Sequence, residues 1–382
     1  MYKDLFSLIA AALNKNKIPF LSDEPQWEQI IKAAKKHNTL AALYIGVTKL
    51  PKDKLPDKSV IEFLTNNYYN EIRRNILQMH ELSRIQNAFE KNSICNLAVK
   101  GCKTKQRYPD EVLRSMGDID MLVKPEQNKL VYTVMQGLGF NSFEEGRKHD
   151  HYYNDSKLGV EIHRDIVPSE SEFYDYYRSV WKKSKLISDC GYSYEMSIED
   201  EYIFNLVHLI QHFKLGGVGI RFIMDVYVYN YMCEMDMDYV DRELKKLGIK
   251  QFTDNIVDLA DRWFGGKRFD SKHTMLIKRL GKFILSGGIF GKSENANNLR
   301  TSCGKNRFLV QSLFPSYRSM KSLYPWLKGK PILLPFAWVL RGSKSLVYRR
   351  KNIKSVFRAY QNSDNRKVEE LRRFYKDCGL EL

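Results

Sequence analysis

The sequence predicts a small unit of strands and short helices, α/β or α+β in class, set between helical regions. Three observations predict it. Apolar residues recur at three- and four-residue spacing before about residue 90 and again after 197. Short runs with strand character, separated by glycine-containing turns, fill the stretch from about 93 to 195. The remainder is dominated by charge: residues 301–382 hold 18 Lys and Arg against 5 Asp and Glu, which is +13 of the chain's net +17.

The opening MYKDLFSLIAAALNKNK carries Asp4 inside a short apolar run and reads as an amphipathic helix, not as a signal peptide. The helical pattern is clearest in SVIEFLTNNYYNEIRRNILQMHELSRIQNAFEKN, residues 59–92. Strand character follows in ICNLAV, DIDMLV, HYYND, GVEIHRD and YSYEM, and PEQNKLVYTVMQGLGF is a helix stopped by Gly137 and Gly139. Helices resume at SIEDEYIFNLVHLIQHFKL, where Ser197 and Asp200 fit a capping signal, and run through IRFIMDVYVYNYM to about residue 285. The stretch 286–306, rich in Gly, Ser and Asn, reads as a linker or exposed loop. The expected units are therefore a helical lead-in at 1–92, a core at 93–196, a helical domain at 197–290 and a basic region at 291–382.

A composition of 43% hydrophobic and 28% charged residues is that of an ordinary globular chain, which sets disorder aside as the default. The net +17 suggests anionic partners: nucleotides, nucleic acid or a membrane surface. Six cysteines fall singly with no Cys-x-x-Cys pair, which argues against both a zinc site and a disulfide framework and fits a reducing cytoplasm. The longest apolar run, PILLPFAWVL at 331–340, is half of the roughly 20 residues a bilayer crossing needs.

The chemistry gathers at RSMGDIDMLVK, residues 114–124. In a strand, Asp118 and Asp120 point to one face while Ile119, Met121 and Val123 point to the other. Two carboxylates about 4 Å apart repel by roughly 4 kcal/mol at an effective dielectric of 20, so such a pair calls for a proton, a base or a metal between them. Upstream, a strand ends at Lys100 and Gly101 and a short helix follows; glycine there admits an anion close to the backbone, and Lys100, Lys103 and Arg114 add positive charge. Downstream, GVEIHRD sets Glu161 opposite to Val160 and Ile162, with His163 on the same face as Glu161. Three carboxylates on neighbouring strands are hard oxygen ligands of the kind Mg²⁺ takes alongside substrate phosphates.

The order strand, glycine turn, helix, Asp-x-Asp strand and later acidic strand resembles the polymerase-beta-like nucleotidyltransferases. The wording VKG, YPDEVLRSMGDIDMLV, VEIHRD, HLIQHF and RFIMDV is similar to their uncharacterised nucleotidyltransferase family, from about residue 90 to 230 and more loosely into the tail. The resemblance implies an α+β fold, a polymerase-beta-like core of mixed sheet and helices with helical flanks. It implies transfer of a nucleoside monophosphate from a nucleoside triphosphate such as ATP to a hydroxyl or phosphate acceptor, with release of pyrophosphate. Asp118, Asp120 and Glu161 would be the catalytic carboxylates and would hold two Mg²⁺ ions, with Mn²⁺ as a substitute. Lys100 and Gly101 would form the phosphate turn, and Arg114, His163, His208 and His212 would complete the nucleotide site, the last two lining the cleft opposite the carboxylates. The wider superfamily commonly has Gly-Ser at the turn; here Cys102 follows Gly101.

Plainer readings stand beside these. Asp-x-Asp also describes an exposed strand edge or a capped turn. His208 and His212, four apart on a helix, make a polar face without the Glu of a zincin pattern, and Arg221 and Asp225 have the spacing of a pair along one helix. A hydrolase centred on the two histidines, a tRNA-modifying toxin-like transferase and a non-catalytic nucleotide-binding scaffold are the competing classes. In the tail, residues 320–355 mix Trp, Tyr and Phe with Lys and Arg, which suits an anionic membrane surface better than RNA, or else packs on the helical domain. The expected location is the cytoplasm, with a peripheral position at the inner membrane surface as the variant that tail suggests.

Overall fold

The computed structural model describes residues 1–144, 149–215, 217–265, 271–287, parts of 310–348, and 365–381. Four helices lead in: α1 (Tyr2–Leu13), α2 (Trp27–His37), α3 (Leu40–Thr48) and α4 (Lys58–Lys91). The last is 34 residues long and matches the periodic run at 59–92.

Among the described residues seven strands follow: β1 (Asn96–Ala98), β2 (Ile119–Val123), β3 (Ser142–Glu144), β4 (His149–Tyr153), β5 (Gly159–His163), β6 (Lys185–Leu186) and β7 (Ser193–Glu195). They form one mixed sheet in the order β3-β4-β5-β2-β1-β7-β6. The β2/β5 and β1/β7 pairs are parallel and the other four are antiparallel. Between strands lie the four-residue α5 (Gly101–Thr104), α6 (Asn128–Gly137), and two short helices, α7 (Tyr174–Tyr177) and α8 (Val180–Lys183). The fold is thus α+β.

Alternation along β2 and β5 builds the two faces of the sheet. Ile119, Met121, Val123, Val160 and Ile162 pack with Leu82, Ile85 and Phe89 of α4 and Val131 and Met135 of α6 in one apolar cluster. Leu97, Val99 and Leu122 point the other way, into a second core shared with the helices that follow. These are α9 (Ile198–Lys214), α10 (Ile220–Met232), α11 (Met237–Lys246), α12 (Lys250–Ala260) and α13 (Ser271–Gly287). The predicted cap on α9 is present: the Ser197 hydroxyl accepts from the Asp200 N–H at 3.1 Å, satisfying a first-turn donor. Leu5, Leu8 and Ile9 of α1 bury in this same second core.

In the C-terminal part, α14 (Leu334–Tyr348) and α15 (Asn365–Asp377) are described. The expected linker at 286–306 lies outside the described residues beyond Gly287, as do residues 349–355 of the aromatic and basic stretch. Within that stretch Met320, Leu327 and Ala337 form a small buried cluster, while Ile332, Phe336 and Val339 are exposed. Among the described residues no helix is long and apolar enough to cross a membrane.

Candidate active site

The face of the sheet that carries Leu97, Val99 and Leu122 also carries the site, beside the second core. Parallel pairing sets Asp120 directly beside Glu161, and Asp118 precedes them by one pleat on the β2 side. Both aspartates and Glu161 line a cavity of about 640 Å³. Its opposite wall comes from α9 and α10, through His208, Gln211, His212 and Arg221. The cavity therefore lies between the sheet and the second helical group, and its volume is in the range of small-molecule sites.

Antiparallel pairing brings the end of β1 alongside Asp120, because Ala98 stands opposite Met121 and the Val99 N–H donates to the Asp120 carbonyl at 3.0 Å. At Lys100 the chain takes a left-handed φ of 54°, a conformation that costs a non-glycine residue free energy and recurs at functional sites. Its Nζ reaches Asp120 Oδ1 at 2.6 Å and stands 3.9 Å from Glu161 Oε2. His163 Nε2 lies 2.8 Å from the same Asp120 oxygen and 3.5 Å from Glu161 Oε2. Burial alone would raise the Asp120 carboxyl; the Lys100 ammonium and His163 overcome that and hold it well below the usual carboxylate range. At Asp118, burial and then the charges of Glu161 and Asp120 raise the carboxyl above the ordinary value by more than the nearby His151 and Arg74 lower it.

Gly101 opens α5 under the cavity. A Cβ there would fall 2.7 Å from Met116 Cγ and 2.9 Å from Arg114 Nη1, so glycine is required by close packing. Cys102 turns into the apolar cluster beneath β2, fully buried, and burial pushes its thiol up to about 12; it faces away from the cavity and stays a thiol.

Arg114 lines the cavity, but its guanidinium is taken up by Asp225, with Nε donating to Oδ1 at 3.1 Å and Nη2 to Oδ2 at 3.0 Å, while the Tyr108 hydroxyl donates to the same carboxylate at 2.6 Å. This corrects the expected pairing of Arg221 with Asp225. The spacing along α10 allows that pair, but a bidentate fork from outside the helix is the stronger arrangement. Arg221 instead donates Nη1 to the Ser115 carbonyl at 3.0 Å, and its Nε has no partner among the described groups. It therefore presents a cation to the cavity wall, where its spacing had pointed to a pair with Asp225. Burial and neighbouring Arg114 lower it only to about 10, so it stays charged at neutral pH.

His208 and His212 stack edge to face with ring centroids 4.5 Å apart and share the cavity with the carboxylates. Burial, His212 and Lys100 push His208 well below the ordinary imidazole value, so it is neutral at pH 7. Sequence reading missed two further histidines. His149 and His151 alternate on β4, antiparallel to β5, which puts His151 across from Glu161 and His149 across from His163. Their His-x-His spacing was the available signal.

Two donor sets have ligand atoms within 4.8 Å of one another: Asp120 with Glu161 and His163, and Glu161 with His149 and His151. Clustered carboxylates with no apolar cover, facing cations across a cavity, suit an anionic substrate bound with a divalent cation. No curated protein and no solved structure matches this chain. A family model described as an uncharacterised nucleotidyltransferase matches residues 23–265, well over half of the chain, and the chain belongs to that family.

Proposed function

We propose that the chain is a Mg²⁺-dependent nucleotidyltransferase on a polymerase-beta-like core, moving a nucleoside monophosphate from a nucleoside triphosphate to a hydroxyl or phosphate acceptor. The observation that carries the reading is the pairing of Asp120 with Glu161, one pleat from Asp118, in a cavity whose other walls hold Lys100 and Arg221.

The donor set fits hard divalent cations: Asp118, Asp120 and Glu161 would hold two of them, Mg²⁺ or Mn²⁺, and a cation would offset the burial and the charges of Glu161 and Asp120 that raise the Asp118 carboxyl. Such ions, when bound, neutralise the triphosphate and lower the acidity barrier of the attacking group. Lys100, with Asp120 as its present counter-ion, is the mobile cation for phosphate oxygens, and Arg221 supplies a second from the opposite wall. Neutral His208, with His212 stacked against it, can orient the nucleotide by hydrogen bonds without adding charge. The acceptor oxygen forms a bond to the α-phosphorus, the bond to the bridging oxygen breaks, pyrophosphate leaves, and Glu161 takes the acceptor proton.

The experiment is thermal stabilisation by ATP, GTP, CTP and UTP with Mg²⁺, on the wild type and on the Asp118→Asn, Asp120→Asn double variant. One triphosphate should stabilise the wild type only with Mg²⁺, and the variant should lose the effect. Equal stabilisation of both proteins would remove the carboxylates from the nucleotide site. For the tail, exposed Ile332, Phe336 and Val339 among basic residues support a contact with an anionic membrane surface.

A further inference from the structure

The Glu161 carboxylate is divided between two environments. Its Oε2 faces Lys100 and His163, as described above. Its Oε1 faces β4, with His149 Nε2 at 3.5 Å and His151 Nδ1 at 3.7 Å. The three donor atoms lie within 4.8 Å of one another. Two ligands each about 2.1 Å from a tetrahedral ion stand about 3.4 Å apart, so both Glu161 contacts already have the edge length of a zinc-type site.

The strand arrangement explains why these side chains meet. Alternation along β4 sends His149 and His151 to one face, with the intervening Asp150 buried and paired to Arg164. The antiparallel register then sets Glu161 beside His151. The imidazoles are about a quarter exposed, at 24% and 28%, so an ion can enter from solvent. His149 also lines the cavity, which leaves open coordination positions toward it.

Two imidazole nitrogens and one carboxylate are a softer set than Asp118, Asp120 and Glu161. Oxygen-only sites suit Mg²⁺, whereas imidazole favours later first-row ions. We propose that His149, His151 and Glu161 form a binding site for a divalent transition ion, Zn²⁺ by its donor set, joined to the carboxylate site through the shared Glu161. This goes beyond nucleotidyl transfer and does not rest on it, since the site would hold Zn²⁺ in a chain that transferred nothing.

The test uses the full chain and the metal alone, without nucleotide. Equilibrium dialysis with Zn²⁺ against excess Mg²⁺ should leave one Zn²⁺ per chain. His149→Ala and His151→Ala should each weaken retention by at least about 100-fold. Asp118→Asn should keep it within a few-fold. Replacing Zn²⁺ with Co²⁺ should give the intense visible absorption of a low-coordinate nitrogen-ligated ion, and His151→Cys, with a melting temperature and near-UV circular dichroism like the wild type's, should add a thiolate-to-cobalt charge-transfer band that the wild type, with its six native cysteines, lacks. Zn²⁺ retention indifferent to both histidine substitutions, loss of Zn²⁺ to Mg²⁺, or a weak six-coordinate Co²⁺ spectrum would overturn the proposal.

Discussion

Gly159 offers a way to disturb the carboxylates without removing a charge. It sits on β5 beside Asp118, and a Cβ at that position would fall 2.2 Å from Asp118 Oδ1, 2.9 Å from its Cγ and 3.3 Å from Tyr153 Cε1. Restoring ordinary contact requires the carboxylate to move by about 1 Å, and the group that must yield is the end of a side chain, not backbone. Gly159→Ala should therefore cost no more than about 1 kcal/mol of stability, because slight overpacking is offset by the lower chain entropy of alanine. A misdirected ligand typically weakens a metal-dependent site by up to about 100-fold. At a Mg²⁺-triphosphate concentration of about a hundred times the wild-type Kd, the wild type should gain about 2.7 kcal/mol and the variant about 0.4 kcal/mol. For 382 residues at roughly 2.1 cal/mol/K each, these correspond to melting shifts of about 3 °C and about 0.5 °C. Differential scanning fluorimetry or calorimetry with and without ligand reads both quantities. Full ligand stabilisation in Gly159→Ala would separate Asp118 from ligand binding, and a ligand-free melt lowered by several degrees would mean that the carboxylate cannot yield.

Three further outcomes are expected. Arg114→Met leaves Asp225 buried without its cation and should cost about 3–5 kcal/mol in urea unfolding, whereas a loss below about 1 kcal/mol would make the pair incidental. His37 is fully buried, and burial followed by the nearby Lys36 charge lowers it to about 4, against 6.5 in the unfolded chain. Between those values the unfolded state binds more protons, so stability is full above about pH 6.5 and falls by about 3 kcal/mol toward pH 4; His37→Gln should flatten that slope in denaturant melts at stepped pH. Phe336→Glu with Val339→Glu should abolish cosedimentation with anionic vesicles while leaving the melting temperature within about 1 °C; undiminished sedimentation would dismiss the membrane contact.

Much of this architecture was legible because its signals are local. The 34-residue helix, the Ser197 cap and the alternation that sends Asp118 and Asp120 away from Met121 all depend on periods of 3.6 or 2 within one segment. Edge strands such as Lys185–Leu186 were not legible, since two residues carry no period. What the sequence hid is pairing across segments. That His151 faces Glu161 follows from the β4/β5 register, and that Asp225 belongs to Arg114 follows from a contact 111 residues apart. The i, i+4 spacing of Arg221 and Asp225 pointed to a local pair, and a buried bidentate fork from elsewhere displaced it, freeing Arg221 for the cavity wall. Cys102 is a related case: next to the Lys100–Gly101 turn in sequence, it belongs to the core in space.

The most direct test of the central claim follows the phosphate label. The triphosphate selected by stabilisation would be supplied with ³²P at either the α or the γ position, together with Mg²⁺ and a panel of hydroxyl- and phosphate-bearing acceptors. Nucleotidyl transfer puts α label into the acceptor with one pyrophosphate released per transfer and sends γ label entirely into pyrophosphate, and the Asp118→Asn, Asp120→Asn protein should do neither. Transfer of γ label to the acceptor, or turnover that survives in the double variant, would contradict nucleotidyl transfer at these carboxylates.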